Sequence, residues 1–343
     1  MNKAPLRALK IGAAALAAAI TATSLTGCVK ESTPTSGEQS ITVYSGRSED
    51  LIAPLLEQFT AETGIGVEVR YSDSASLAAQ ILEEGSNVQA DVFFSQDAGA
   101  LGAVSEAGAF KNLNSDITDL VPAEYRSSEN TWVGVSGRSR VLSYDPAQIA
   151  EADLPKSIFD LADPKYKGKI GIAPTNASFQ SSVTAMRVLE GQEATAAWLG
   201  AMKTNAVLFE KNGQILEAVE TGQIAAGLLN HYYWLERAAE VGEAEMKSKL
   251  AWFESGDAGN LVNVAGVGVL SDKAEAQTFA KWLLGATAQT FFVEKTGEYA
   301  LTGDATPANL PALSELPAAK IDLSALAPLA ATLELIRAAG LTD

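Results

Sequence analysis

Residues 41–71 read ITVYSGRSEDLIAPLLEQFTAETGIGVEVRY, and this stretch decides the fold. Residues 41–44 are mostly apolar and β-branched, which predicts a short strand. In residues 50–63 apolar side chains recur near helical spacing, and Gly64 then stops the helix. Residues 67–71 alternate apolar and polar side chains, as a half-buried strand does. The stretch is therefore predicted to form a strand, a helix and a second strand.

The alternation continues along the chain. The pattern predicts further helices at 74–84, 98–107, 214–221, 327–339 and from the turn at 174–178 through Leu189. It predicts further strands at 90–94, 169–173, 207–210, 225–229 and 263–270. Strands that alternate with helices indicate an α/β fold with a mostly parallel sheet, in which ligands bind beyond the carboxyl ends of the strands.

The length of the chain favours two lobes. About 315 residues remain after the targeting segment described below, which is too many for one small core. We predict that residues 132–144 cross between the lobes and that the chain crosses back near Leu261. The predicted lobes are discontinuous: the first comprises 41–138 with 263–313, and the second comprises 139–262 with 314–343.

Residues 1–27 have the features of a lipoprotein signal peptide. Positive charge comes first, from Lys3, Arg7 and Lys10. The apolar run at 11–20 follows, and it is shorter than the about 20 residues that span a bilayer. Leu25-Thr26-Gly27-Cys28 resembles a bacterial lipoprotein box, with cleavage before Cys28. Residues 28–40 include a run rich in Ser, Thr, Gly and Pro, which predicts a flexible tether.

Composition excludes several classes of function. The formal net charge of −17 argues against binding to nucleic acid, which needs a basic face. His231 is the only histidine and Cys28 the only cysteine, so the chain offers few ligands for zinc. The sequence lacks Gly-x-Ser-x-Gly, a phosphate-binding Gly-x-x-x-x-Gly-Lys-Ser/Thr and Gly-x-Gly-x-x-Gly. We therefore expect that the protein is not an enzyme.

Two adjacent tyrosines stand out at 232–233, within Asn230-His231-Tyr232-Tyr233-Trp234. Neighbouring side chains point about 100° apart on a helix and to opposite faces of a strand. Their hydroxyls converge only at an irregular turn or a helix start; the alternative is ordinary packing. A phenol has a pKa of about 10 and binds metal at neutral pH only when a hard, highly charged cation displaces its proton. Ferric iron is such a cation.

Small polar residues occupy three turns of the second α/β unit. They are at 176–178, at Asn212 and at 230–233. Turns that begin helices expose backbone N–H groups and bind oxyanions well. Two phenolates leave Fe³⁺ one charge short of neutral, and a carbonate or phosphate ion would supply both charge and oxygen ligands.

With these features the chain resembles the bacterial periplasmic ferric-iron-binding proteins of ABC importers, over roughly residues 40–343. The framework of strands and turns is shared with binding proteins for sulfate, thiamine and polyamines, so the Asn-x-Tyr-Tyr-Trp segment is the specific part. The segments that carry the resemblance are VYSGRS (43–48), ADVF (90–93), GRSRV (137–141), GKIGIAP (168–174), KN (211–212), NHYYW (230–234) and the C-terminal 323–341.

The resemblance implies a two-lobed periplasmic-binding-protein fold whose lobes are joined by hinge strands. It implies that Tyr232 and Tyr233 bind Fe³⁺ as transported ligand. It also implies an anion site, formed by Asn176, Ala177, Ser178, Asn212 and Asn230.

The chain departs from the family at the remaining ligands. Some members add a His and a Glu from the first lobe, but the matching residues here are Ser48 and Gln96. Others add a third tyrosine, where this chain has Phe179. The site is then either completed by anion and water or uses nearby substitutes such as Asp97 or Glu49.

The sequence leaves more than one role for two arginines and the histidine in these segments. Arg47 and Arg138 are candidate partners of the anion, since a guanidinium forms strong hydrogen bonds to oxyanions. Surface solvation or an ion pair between the lobes is the alternative for both. His231 lies between the anion and metal residues, at a position that is not usually a ligand in the family.

The expected function is capture of Fe³⁺ with a small oxyanion between two lobes, for delivery to the permease and ATPase of an ABC importer. The protein is expected to be a monomer outside the cytoplasm, attached to the membrane only by lipid. One alternative is the same fold with a metal-free ligand such as phosphate, a phosphonate or thiamine. An esterase that uses Ser45 or Ser136 with His231 is another, although no nucleophile motif supports it.

The lipid anchor has a direct test. Cys28→Ser removes the only thiol of the chain, so labelling with a fatty-acid analogue should disappear while the rest of the protein is unchanged. Unchanged labelling would show that residues 25–28 are not a lipoprotein box.

Overall fold

The computed structural model describes residues 39–342, in which strands and helices alternate along the chain. The strands are β1 (Ser40–Ser45), β2 (Gly66–Tyr71), β3 (Val92–Ser95), β4 (Trp132–Tyr144), β5 (Ile170–Ile172), β6 (Ala206–Leu208), β7 (Ala226–Asn230), β8 (Lys249–Ala251), β9 (Val262–Val269) and β10 (Tyr299–Ala300). The helices are α1 (Glu49–Thr63), α2 (Ser74–Glu84), α3 (Ala98–Glu106), α4 (Ser115–Thr118), α5 (Ala177–Glu190), α6 (Gln192–Asn205), α7 (Asn212–Glu220), α8 (His231–Val241), α9 (Ala274–Leu283), α10 (Ala286–Thr296) and α11 (Leu329–Ala338).

Local sequence signals account for the ends of the first helices. Helix α1 ends where Gly64 adopts a left-handed conformation, with φ of 72°, as a helix stop by glycine requires. Helix α2 has the predicted bounds, and the carboxylate of Asp73 accepts a hydrogen bond from Ser76 N at its start (2.8 Å). The predicted strands and helices of the first unit are confirmed to within about two residues, the usual uncertainty of such boundaries.

The sheet has the strand order β2-β1-β3-β9-β4-β7-β5-β6, and β8 and β10 pair with β4 outside this path. Strands β1, β2 and β3 pair in parallel at one end, and β5, β6 and β7 pair in parallel at the other. The central strands β9 and β4 pair antiparallel with each other and with their neighbours. The expected parallel sheet thus holds for each end, and the middle differs because the chain passes between the ends there.

Strand β4 joins the two ends of the sheet. All 13 of its residues are buried. Its first part, up to Ser139, pairs with β9 and β10, and its last part, from Arg140, pairs with β7 and β8. A buried strand must pair its backbone N–H and C=O groups along its whole length, so β4 ties both ends into one framework.

Helices cover both faces of each end of the sheet. In the first part, α1, α9 and α10 bury one face and α2 and α3 bury the other. In the second part, α5, α6 and α11 bury one face and α7 and α8 bury the other. Helix α11 packs against α5 and α6, and its assignment to the second lobe stays a prediction.

The two predicted crossing points are paired with each other. Arg138 lies opposite Asn263 and Ser139 lies opposite Val262 in the β4–β9 ladder. These positions are where the predicted lobes divide, at 138/139 and 262/263. The lobe boundaries stay a prediction. Because the two crossing segments are paired in one ladder, a hinge in one of them would have to bend the other as well.

The C-terminal segment lies close to α3 before it reaches α11. A 3₁₀ turn at Leu323–Leu326 contacts α3. This contact requires glycine in α3, because a Cβ at Gly102 would come within 2.7 Å of Ser324 O and one at Gly99 within 2.8 Å of Leu326 O. The same turn contacts α5, so the segment passes from the first part of the fold to the second.

Within residues 39–342, no helix combines the length and the apolar character needed to cross a membrane. The predicted signal peptide, Cys28 and most of the predicted tether lie outside the described residues.

A buried ion pair joins the turn after β1 to the segment after α10. Arg47 Nη1 and Nη2 donate to the two carboxylate oxygens of Glu298, at 2.9 and 3.1 Å, and both side chains are at most 5% exposed. Ser136 Oγ of β4 donates to the same carboxylate. Burial alone would raise the pKa of Glu298, but the charges of Arg47 and Arg138 and these hydrogen bonds hold the pKa below its ordinary value.

Breaking this pair should destabilise the fold strongly. Glu298→Gln leaves a buried guanidinium without its counter-ion, and we expect a loss of about 3–5 kcal/mol in the free energy of unfolding, measured by urea denaturation. The control is Asp116→Asn, which removes the partner of Lys281 in a pair more than half exposed and should cost about 0–1 kcal/mol. Equal losses in the two variants would show that the buried pair contributes no more to the free energy of unfolding than the exposed pair does.

Candidate metal and anion site

The tyrosine pair lies at a helix start. Strand β7 ends at Asn230 and α8 begins at His231, so Tyr232 and Tyr233 are in the first turn of α8. Their rings lie side by side, with centroids 4.6 Å apart and a tilt of 31°. Asn230 Nδ2 donates to the Tyr232 hydroxyl at 3.3 Å. The condition set by the sequence, a helix start at which both hydroxyls can converge, is therefore met.

Both tyrosines line a cavity of about 80 Å³. Its walls come from the turns after β3, β5 and β7 and from the crossing strands β4 and β9. The lining residues are Gln96, Asp97, Arg138, Arg140, Asn176, Ala177, Ser178, Asn230, Tyr232, Tyr233, Leu261 and Asn263. This volume has room for an ion and one or two small ligands, not for a large organic molecule.

The predicted anion residues form one hydrogen-bonded cluster. Asn176 caps α5, and its Oδ1 accepts from Ser178 N at 3.0 Å and from Ser178 Oγ. Asn212, the first residue of α7, donates from Nδ2 to Ser178 Oγ at 3.1 Å. Asn212 does not line the cavity; it is buried behind Ser178, and its Oδ1 has no hydrogen-bond partner among the described residues.

Three helix starts thus converge at this cluster, those of α5, α7 and α8. The amino terminus of a helix carries partial positive charge and free N–H groups, which favour an anion. Ala177, the first residue of α5, lines the cavity. The geometry suits an oxyanion that lies between the helix starts and the phenols.

Arg140 is a residue that the sequence analysis did not place in the site. Its Nη1 donates to Ser178 Oγ and to Asn230 Oδ1, both at 3.2 Å. It is 3% exposed, and none of the ion pairs within residues 39–342 includes it. Burial lowers the pKa of Arg140 to about 10, and the nearby phenols act in the opposite direction. The guanidinium remains charged at neutral pH.

A simple signal could have identified Arg140. Residues two apart on a strand point to the same face, so Arg138 and Arg140 of β4 belong together. Arg138 lines the cavity as proposed and donates from Nη2 to Gln96 O, while its Nε has no partner within the described chain. Arg47, the other proposed anion partner, instead forms the buried pair with Glu298 and lies outside the cavity lining.

The residues at or near the family's remaining ligand positions lie in different surroundings. Gln96 lines the cavity, whereas Ser48 and Glu49 are exposed at the start of α1 and do not. Phe179 is buried and stacks on Trp198 (centroids 6.2 Å apart). Of these residues only Gln96 therefore lines the cavity, and its amide is neutral.

Asp97 lines the cavity, but its carboxylate is already engaged. Oδ1 caps α3 by accepting from Gly99 N at 2.8 Å and Ala100 N at 3.3 Å. Oδ2 accepts from Ser181 Oγ at 2.8 Å and from Asn263 Nδ2 at 2.7 Å. Because Ser181 belongs to α5, this carboxylate bridges the two parts of the fold. Its use as a metal ligand would break that bridge.

The phenol of Tyr233 is protonated without a metal. Burial raises its pKa, the neighbouring Tyr232 and Glu236 add to the effect, and Arg140 partly opposes it. A cation that binds this oxygen must displace the proton. Among the described residues, no group of three His, Cys, Asp or Glu side chains is arranged to hold a metal ion.

His231 does not face the cavity. Its Nδ1 accepts from Ser139 N at 3.2 Å, and its Nε2 lies 2.8 Å from Gly297 O. Complete burial lowers the pKa of His231 to about 4, although the backbone hydrogen bonds partly oppose this. Both ring nitrogens are used by the backbone.

The α/β fold with its sheet in two parts, and a small polar cavity between them, defines the class of a two-lobed solute-binding protein. A family model described as bacterial extracellular solute-binding protein matches residues 87–323. The Fe(3+)-binding periplasmic protein of Serratia marcescens is 37% identical over 296 residues, 85% of this chain and 88% of that protein. The major ferric iron-binding protein of Neisseria meningitidis serogroup B is 34% identical over 310 residues, 88% of this chain and 93% of that protein.

Solved structures agree with this class. The structure of iron-bound HitA from Pseudomonas aeruginosa has a TM-score of 0.80 and 33% identity, and the match covers 88% of this chain and 99% of that one. The chain belongs to the bacterial extracellular solute-binding proteins and, among them, to the family of ferric-iron-binding periplasmic proteins.

Proposed function

We propose that this protein binds Fe³⁺ together with a small oxyanion in the cavity at Tyr232 and Tyr233. The observation that carries the proposal is the pair of adjacent phenols in the same cavity as the starts of α5 and α8. Hard anionic oxygen ligands select a hard, highly charged cation over softer metals. The family to which the chain belongs supports the same ligand.

The proposed anion has to compensate the positive charge of the iron-loaded cavity. Two phenolates leave Fe³⁺ with one positive charge, and the guanidinium groups of Arg138 and Arg140 add two more in the same small cavity. A buried positive charge without a partner is costly. A carbonate or phosphate ion held by Asn176, Ala177, Ser178 and Asn230, with Asn212 behind them, compensates these charges and supplies oxygen ligands.

A metal-free ligand such as phosphate, a phosphonate or thiamine is not favoured. The relatives named above are ferric-iron-binding proteins, and the solved neighbour is iron-bound. A cavity of about 80 Å³ also has no room for thiamine.

The proposed mechanism is closure of two lobes around the ligand. The lobes divide at 138/139 and at 262/263, where β4 and β9 pair, and closure brings Gln96 and Asp97 against Ser178 and Ser181. The hydrogen bond from Ser181 Oγ to Asp97 Oδ2 then holds the closed form. Hinge motion of this type needs only a few residues that change their backbone angles.

The class of protein indicates where the protein acts and with which partners. Solute-binding proteins of this family work outside the cytoplasm with the permease and ATPase of an ABC importer, and they are not enzymes. The protein is proposed to act as a monomer and to be anchored by lipid on Cys28, which lies outside the described residues.

The phenols have a direct spectroscopic test. Adding ferric citrate to the protein should produce a visible absorption band, because iron–phenolate bonds are coloured. Tyr232→Phe and Tyr233→Phe keep the ring and remove the oxygen. Each should weaken the band and lower iron affinity by more than the about 10–100-fold loss typical of an outer-sphere change. Tyr144→Phe, outside the cavity, is the control. No band in the parent, or full binding in both variants, would refute the assignment.

The anion should control iron affinity. Asn212→Ala and Ser178→Ala should weaken iron binding, although neither residue is a proposed metal ligand. Iron titrated into anion-stripped protein should bind weakly until bicarbonate or phosphate is added. The control is Asn205→Ala, a buried asparagine whose amide donates to three carbonyls away from the cavity. It should lower stability and leave the dependence on anion unchanged.

Iron affinity should also fall as the pH is lowered. Because burial raises the pKa of Tyr233, its phenol holds a proton that iron must displace. Each phenol proton released changes the affinity by about tenfold per pH unit, so the slope should be about one to two in logarithmic units. An affinity that does not change with pH would show that iron displaces no phenol proton. Full-strength binding without added oxyanion would show that the anion is not needed as a ligand.

A further inference from the structure

The only histidine of the chain, His231, is fully buried directly before the tyrosine pair. Its Nε2 lies 2.8 Å from Gly297 O, and its Nδ1 lies 3.2 Å from Ser139 N and 3.4 Å from Ser139 O. A carbonyl oxygen only accepts and a backbone N–H only donates. The shorter contacts therefore place the proton on Nε2 and make Nδ1 an acceptor, which gives a neutral ring with both nitrogens satisfied.

The two partners of the ring belong to different parts of the fold. Ser139 lies in β4 at the predicted crossing point. Gly297 terminates α10 in a left-handed conformation, with φ of 65°, one residue before Glu298, which pairs with Arg47. In the predicted division Ser139 belongs to the second lobe and Gly297 to the first, so the ring connects α8 to both.

Tyr232 contacts both the turn at Gly297 and the His231 ring. A Cβ at Gly297 would come within 3.4 Å of Tyr232 Cβ, so the turn at Gly297 lies directly against this residue. The His231 ring packs on Tyr299 (centroids 4.8 Å apart, tilt 35°) and meets Tyr232 edge to face (5.9 Å, 79°). A shift of the imidazole would therefore move the first turn of α8.

We propose that His231 is a positioning residue for ligand binding: its hydrogen bond to Gly297 O holds the Tyr232 and Tyr233 hydroxyls at a defined place relative to both lobes. The inference rests on the proposed function, since it assigns His231 to the phenols of that site. His231 does not touch the ligand itself, because it does not line the cavity and both of its nitrogens are engaged. Its role is distinct from that of Asn230, which contacts Tyr232 through the hydroxyl.

Two carboxamide variants, each of which replaces one ring nitrogen, separate the two hydrogen bonds. In His231→Asn the amide occupies the place of Nδ1, so Ser139 N–H keeps an acceptor and Gly297 O loses its donor. In His231→Gln the amide reaches the place of Nε2, so Gly297 O keeps a donor and Ser139 N–H loses its acceptor. Each variant leaves one buried backbone group unpaired, so both should lose similar thermal stability.

Ligand binding should distinguish the variants although stability does not. His231→Asn should lower ferric affinity about tenfold, the effect of one hydrogen bond, and should shift the iron–phenolate band. His231→Gln should retain the affinity of the parent within about twofold and keep the band. Equal effects of the two variants on affinity, in step with their stability, would mean that His231 is structural only and would overturn the proposal.

The control is Tyr299→Phe. It keeps the ring that packs on His231 and removes a hydroxyl that has no hydrogen-bond partner within the described residues. It should change neither affinity nor the band. A loss equal to that of His231→Asn would mean that any disturbance near the ring weakens binding, which also overturns the proposal.

A metal-free measurement separates this inference from the proposed function. Amide hydrogen exchange in the first turn of α8 should be faster in His231→Asn than in His231→Gln, without any iron present. If the parent binds no iron, the proposed function fails, whatever the exchange rates show. If the parent binds iron and exchange in α8 is the same in both variants, the inference fails and the proposed function stands.

Discussion

The antiparallel pairing of β4 with β9 is the constraint on which the rest of the structure depends. A fully buried strand of 13 residues needs partners along its whole length, and β4 changes partners between Ser139 and Arg140. The sheet therefore has two parts joined by strands that pair with each other. Polar side chains at this change of partner, Arg138, Arg140 and Asn263, line a cavity to which both parts of the fold contribute walls.

Two buried arginines of this protein differ in their hydrogen-bond partners. Arg47 has a carboxylate partner in Glu298 and stabilises the link between the turn after β1 and the segment after α10. Arg140 is equally buried but has only neutral partners, a hydroxyl and an amide oxygen, beside two phenols. A guanidinium that lacks a counter-ion in the apoprotein is suited to receive one with the ligand. In the proposed function, this contrast separates the structural Arg47 from Arg140, which lines the cavity.

The first part of the fold contributes to the cavity without a free charged ligand. Asp97 uses its oxygens to cap α3 and to accept from Ser181 and Asn263, and Gln96 is neutral. In the proposed mechanism, closure therefore relies on hydrogen bonds between the lobes, and the phenols and anion of the second lobe hold the metal. His231, through Gly297, relates those phenols to the first lobe.

The sequence by itself determined the order of strands and helices from β1 to α3 and the helix stop at Gly64, because these depend on local periodicity and on neighbouring residues. It left the tyrosine pair at an irregular turn or a helix start, and the structure places it at the start of α8. The same local patterns, with the family resemblance, predicted Tyr232 and Tyr233 as metal ligands and Asn176, Ala177, Ser178, Asn212 and Asn230 as anion residues. All of these except Asn212 line the cavity. Only the tertiary structure decided that Arg47 pairs with Glu298, that Arg140 lies in the cavity, that Asp97 is already engaged and that His231 binds Gly297. Each of these depends on a partner more than 35 residues away in the chain, and local patterns contain no information about which distant groups meet.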